Sequence, residues 1–212
     1  MSYRKVKKLI GMLLVVAMLL PVIPVLPVYA DTPIDWKLLG TGEVAPPATS
    51  FTSLFVYEGT TYVAVTMNSS HETAVFRFDK IGGWQQVGSP LEYALKGSLC
   101  ADNGDLYLAY LAPDQDNPDN RNIRILKYDL GDPEGDWVTM KTFLGVDDNN
   151  VSLYVHNGTP YVAFSGSSRP IVMKYDKELE DFRLIGNDFL WEPHSSLEIK
   201  GGGAGNLYFS YV

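Results

Sequence analysis

A segment of Ser-Leu, a turn carrying glycine, then Tyr-Val-Ala or Tyr-Leu-Ala returns along this chain at a period of about 45 to 50 residues. The copies are Ser53-Leu54 with Gly59 and Tyr62-Val63-Ala64, Ser98-Leu99 with Gly104 and Tyr107-Leu108-Ala109, and Ser152-Leu153 with Gly158 and Tyr161-Val162-Ala163. A fourth, Ser196-Leu197 to Tyr208-Phe209-Ser210, carries three extra residues in its Gly-rich turn. Self-similarity at this period, in units built from short strands, is the signature of a radial or stacked β architecture.

Each unit contains four strand signals. The first (Ser53 to Tyr57, Ser98 to Asp102, Ser152 to His156) and second (Thr61 to Thr66, Leu106 to Leu111, Pro160 to Ser165) are separated by Glu58-Gly59, Asn103-Gly104 and Asn157-Gly158. Two-residue turns with glycine supply the positive φ of a tight hairpin, so these strands pair antiparallel. The third ends in an aromatic residue and an aspartate (Phe78-Asp79, Tyr128-Asp129, Tyr175-Asp176), and the fourth begins with Trp84, Trp137 or Phe182. Side chains alternate across a strand, which places Leu54, Leu99, Leu153 and Leu197 at equivalent core positions. Phe55, Cys100 and Tyr154 between them are also apolar or aromatic, so both faces of this strand are expected to be covered.

Four-stranded antiparallel units, packed on both faces and repeated, describe the blades of an all-β propeller. A β-sandwich has similar strand spacing without a repeat of this length. The units run over about 52–88, 97–145, 151–186 and, partially, 195–212, within a repeat domain at 31–212. Trp36-Lys37-Leu38-Leu39-Gly40 reads as one further strand of the fourth type. That makes about three and a half blades and an incomplete ring, so the expectation is the front part of a longer propeller, about six to eight blades in all. If the chain is complete, the open edge of the last strand predicts a dimer.

The run Asn103-Gly104-Asp105-Leu106-Tyr107-Leu108-Ala109, followed by Asn122 to Asp129, resembles the strand pair of NHL-type and kelch-like propeller repeats of secreted bacterial proteins. With Trp84 to Gly88 and Trp36 to Gly40, the resemblance covers nearly all of residues 36 to 212. It implies a propeller and carries no functional residue across. Val65, Tyr110 and Phe164 stand where NHL repeats have an aspartate after Val-Ala.

Residues 1–30 read as a signal peptide: Arg4, Lys5, Lys7 and Lys8, an apolar run from Leu9 to Leu20, then Val28-Tyr29-Ala30 as a small-residue exit. The expectation is a secreted or cell-surface protein with no membrane attachment after cleavage. The leader takes four of the 17 basic residues and none of the 25 acidic ones, so the remainder has a formal charge of −12. An acidic surface opposes nucleic acid and anionic lipid, whose binding begins with neutralising phosphates. Cys100 is the single cysteine, which excludes an internal disulfide and suits a small buried hydrophobe.

The tight hairpins share one face with the third-to-fourth turns. The longer, more variable connections share the other, where binding residues concentrate on a rigid scaffold. Tyr93, Trp191 and His194 fall on such inter-blade loops, and Trp191 has no counterpart in the other copies. These three are the expected binding residues. Trp84 and Trp137 recur at one blade position and are expected to pack. The loop from Asp114 to Asn120 carries Asp114, Asp116 and Asp119, but Pro118 and Ile125 break the EF-hand pattern. A solvated hairpin insertion is therefore expected, calcium being the minority reading, and no cofactor is assigned.

No nucleophile elbow surrounds any serine, and His71, His156 and His194 lack metal spacing. The leading expectation is an extracellular, non-enzymatic binding or interaction module for a glycan or protein. The alternative is a secreted propeller enzyme, glycan-cleaving or lactone-hydrolysing, with its site at the channel mouth. Its carboxylates would come from several blades and leave no linear motif.

Overall fold

Runs of alternating β-branched and aromatic residues, broken by two-residue turns, form up-and-down antiparallel sheets in the computed structural model. It describes residues 49–114, 117, 120–146, 150–165, 170–186, 197–202 and 206–211. The leader, the Trp36 to Gly40 strand, Asp116, Asp119, Trp191 and His194 lie outside the described residues.

Blade 1 consists of β1 (Thr49–Tyr57), β2 (Thr60–Met67), β3 (Glu72–Asp79) and β4 (Gly83–Leu91), paired in that order. Blade 2 repeats it with β5 (Lys96–Asp102), β6 (Asp105–Pro113), β7 (Arg121–Asp129) and β8 (Val138–Val146). Blade 3 does so with β9 (Val151–His156), β10 (Thr159–Ser165), β11 (Pro170–Asp176) and the short β12 (Asp181–Leu184). A two-stranded sheet follows, β13 (Leu197–Gly201) with β14 (Leu207–Tyr211). The hairpin turns adopt the expected left-handed backbone, with φ of 48° and 77° at Glu58-Gly59, 57° and 85° at Asn103-Gly104, and 51° and 64° at Asn157-Gly158.

The core lies between blades. One cluster joins Tyr62, Ala64, Val75 and Val87 of blade 1 to Leu99, Leu106, Leu108 and Tyr110 of blade 2. A second joins Tyr107, Ile123 and Ile125 of blade 2 to Leu153, Val155, Val162 and Phe164 of blade 3. A third sets Ile199 against Ala163 and Val172. The first strands of blades 2 and 3 therefore point Leu99 and Leu153 back at the preceding blade and Cys100 and Tyr154 forward.

Two expectations need correction. Leu54 is 63% exposed, whereas Leu99 and Leu153 are 4% and 5% exposed. Its side chain lies on the rear face of the first described blade, so the equivalence is one of register and not of burial. The fourth Ser-Leu pair is out of register with the others. Phe209, which follows Tyr208 as Leu108 follows Tyr107, pairs with Ile199, and Leu108 pairs with Leu99. Ile199 thus takes the repeated leucine's place, two residues beyond Leu197.

The repeated serine has a role that its recurrence signalled and composition did not explain. Leu99 N–H donates to Ser53 Oγ at 3.1 Å, and Ile199 N–H donates to Ser152 Oγ at 3.1 Å. Between blades 2 and 3 the Ser98 hydroxyl instead reaches the Leu153 carbonyl at 3.5 Å. At the other two junctions a seryl oxygen on one inner strand thus satisfies a main-chain donor on the next. Ser152→Ala is expected to cost about 1–3 kcal/mol in urea denaturation, because it orphans the buried Ile199 N–H. A Ser152→Thr variant, which keeps the oxygen, should recover part of that loss.

Candidate functional site

The face bearing the long connections is built from the ends of the second strands, the starts of the third, and the inter-blade loops. Thr66 and Thr73 oppose each other on β2 and β3, and their hydroxyls meet at 2.8 Å. Thr73 Oγ1 also accepts the Ala94 N–H at 2.9 Å, which pins the loop leading from blade 1 to blade 2. Glu92 on that loop lies 2.6 Å from Arg124 Nε of β7 and accepts the Tyr110 hydroxyl at 3.3 Å. The Tyr110 ring is 1% exposed, and burial, then the Glu92 charge, raise its phenol above the ordinary value.

Tyr93 is half-buried, and its ring lies 5.4 Å from that of His71 in a tilted contact. Nearer the inner strands, Lys96 Nζ donates to Asn150 Oδ1 at 3.2 Å, linking blades 2 and 3 at the starts of β5 and β9. Tyr93 is therefore brought together with His71, and the preceding residue Glu92 with Arg124 and Tyr110. Sequence reasoning missed Glu92, Arg124 and Lys96 because they recur at no repeat position. The one usable signal was that Glu92 adjoins Tyr93 in a variable loop.

The opposite face is stitched by the hairpins. Gly104 N–H donates to Tyr57 Oη at 2.9 Å, and Gly158 N–H donates to Asp102 Oδ2 at 2.8 Å. Lys127 Nζ lies 2.8 Å from Asp105 Oδ2, which also takes the Tyr107 hydroxyl at 3.3 Å. Among the described residues of the inner strands, the carboxylates are Asp102, so engaged, and Glu198, paired with Lys200 at 2.9 Å. No group of three or more His, Cys, Asp and Glu among the described residues could hold a metal ion. Asp114 is bound into its own loop through its N–H to the Asn120 carbonyl at 3.2 Å.

Trp137 fills the hollow beside Gly88 and donates its indole N–H to the Val87 carbonyl at 3.1 Å, so it packs blade 2 against blade 1. Cys100 is buried, and desolvation pushes its thiol up to about 11, which makes it an inert core group at neutral pH. An apolar cleft of about 570 Å³ lined by Phe143, Phe164, Ile171, Met173 and Leu184 lies between β8 of blade 2 and β10, β11 and β12 of blade 3. It lacks the convergent polar groups that orient a sugar.

These blades define a β-propeller. No known family model matches the chain, and no curated protein matches it. Among solved structures it is similar to a bifunctional GH43-CE protein of Bacteroides eggerthii, with a TM-score of 0.51 and 12% identity over 83% of this chain and 26% of that one. It is also similar to a GH43_1 enzyme of Xanthomonas citri complexed with xylose, at TM-score 0.40 and 15% identity over 65% of this chain. The chain spans 55% of that enzyme's length. A third is CoXyl43, a GH43 β-xylosidase/α-arabinofuranosidase from a compost microbial metagenome, at TM-score 0.42 and 14% identity over 77% of this chain and 69% of that one. The expectation of a non-enzymatic binding module is not upheld: the solved structure that this chain matches at a TM-score of 0.51 is a bifunctional GH43-CE protein, and the likeness shows the fold. The NHL and kelch resemblance gives way to the propeller fold alone.

Proposed function

We propose that this chain contributes blades to a secreted glycan-cleaving propeller, its substrate approaching from the long-loop face. The observation that carries the reading is the match of 83% of the chain to the Bacteroides eggerthii GH43-CE protein at a TM-score of 0.51. Glycoside hydrolysis needs two carboxyl groups flanking the scissile oxygen, about 5–5.5 Å apart for retention or about 6.5–9.5 Å for inversion. On a propeller these come from separate blades, which agrees with the lack of a linear motif.

Glu92 is engaged by both Arg124 and Tyr110, so on this reading it positions and does not donate the proton. Tyr93 and His71 supply aromatic faces suited to the apolar side of a sugar ring. Trp191 and His194 belong to the same proposal through their inter-blade loop. Secretion enters through the leader at residues 1–30.

Incubation with aryl glycosides and with plant-wall polysaccharides, followed by reducing-sugar release, tests the reading. The expected result is sugar release that a heat-denatured sample lacks, with Tyr93→Ala raising KM more than it lowers kcat. No release from any glycan by the full-length gene product would overturn the proposal.

A further inference from the structure

Asn-Gly is the dipeptide most prone to spontaneous deamidation, because glycine leaves its nitrogen unhindered for attack on the asparagine side chain. The chain places this dipeptide in two equivalent hairpins, Asn103-Gly104 and Asn157-Gly158, where Asn157 is exposed. In both, the glycine nitrogen that would attack is held by the preceding blade, Gly104 N–H by Tyr57 Oη at 2.9 Å and Gly158 N–H by Asp102 Oδ2 at 2.8 Å. Both asparagines sit at positive φ, 57° and 51°, in closed turns. The Asn157 side-chain nitrogen, the leaving group, lies 3.2 Å from His156 Nε2.

We propose that these turns are latent modification sites held shut by blade-to-blade contact, so that deamidation at each reports separation of that blade from its predecessor. In the reaction the glycine nitrogen bonds to asparagine Cγ and loses its proton. The Cγ–Nδ2 bond breaks and ammonia departs. Water then opens the five-membered imide at either carbonyl to give aspartate or isoaspartate. Attack requires the peptide group to rotate out of the turn, and that rotation breaks the hydrogen bond to Tyr57 or Asp102. Isoaspartate adds a backbone atom to a two-residue turn, so the modified hairpin cannot close again in its original register.

The test compares the intact chain with Asp102→Ala, Asp102→Asn and Tyr57→Phe under prolonged incubation, with tandem mass spectrometry assigning aspartate and isoaspartate to each turn. A guanidinium-unfolded sample gives the unguarded rate. Asp102→Ala is expected to speed loss of Asn157 about tenfold or more, and Tyr57→Phe to speed loss of Asn103 about fivefold while leaving Asn157 unchanged. Asp102→Asn keeps an acceptor oxygen and should keep the parent rate. Parent rates equal to those of the unfolded chain would overturn the proposal. So would an unchanged Asn157 rate in Asp102→Ala, or both turns accelerating together in Tyr57→Phe.

Discussion

Replacing Leu153 with alanine is expected to lower the unfolding free energy by about 2–5 kcal/mol, from lost burial and the cavity left between blades 2 and 3. The side chain is 5% exposed and packs with Tyr107, Ile125 and Phe164 in one cluster. Leu54→Ala removes the same atoms from the corresponding place in blade 1, where the side chain is 63% exposed, and should change stability by no more than about 0.5 kcal/mol. Guanidinium denaturation monitored by tryptophan fluorescence measures both. Equal costs at the two positions would mean that the rear face of blade 1 is covered as fully as that of blade 3.

The second large effect is at Trp137. Truncation to alanine is expected to cost about 3–5 kcal/mol. The indole lies against the Tyr128 ring at 5.4 Å and occupies the space beside Gly88, whose φ of 67° and missing Cβ leave room for it. Trp137→Phe keeps most of the bulk and loses the hydrogen bond to the Val87 carbonyl, a loss of about 1 kcal/mol. The adjoining Asp136 carboxylate accepts the Ser89 and Trp137 N–H groups, which hold it below the ordinary carboxylate range. If Trp137 were instead a sugar platform, its truncation would impair glycan binding while leaving the denaturation midpoint in place.

Blades, hairpins and strand order were legible because each is written in a few consecutive residues. Alternation marks the strand, Asn-Gly or Glu-Gly marks the turn, and the repeat multiplies a weak local signal. What was not legible depends on partners far away in sequence. The position of Ile199 is set by Phe209 and by the Ser152 hydroxyl, neither of which the local Ser196-Leu197 pair reveals. The exposure of Leu54 depends on what faces blade 1, and its own sequence resembles that of buried copies.

The functional reading failed for a related reason. It weighed the absence of a catalytic motif as a sign of a binding module, although a propeller gathers its reactive groups from separate blades. The Glu92, Arg124 and Tyr110 cluster illustrates the difficulty, since its members come from an inter-blade loop and two different strands. Tyr93 was singled out because a variable loop on a rigid scaffold is a physical argument that needs no motif.

The seryl contacts give the array a direction. At two of the three junctions the earlier blade supplies the acceptor and the later blade the main-chain donor. The Tyr57 and Asp102 contacts to glycine N–H groups run the same way. A chain made from its N-terminus therefore releases the strand that carries each of these acceptors before the strand that donates to it. Chains generally fold N-terminal parts first during synthesis. In this propeller that order is built into which blade holds the oxygen.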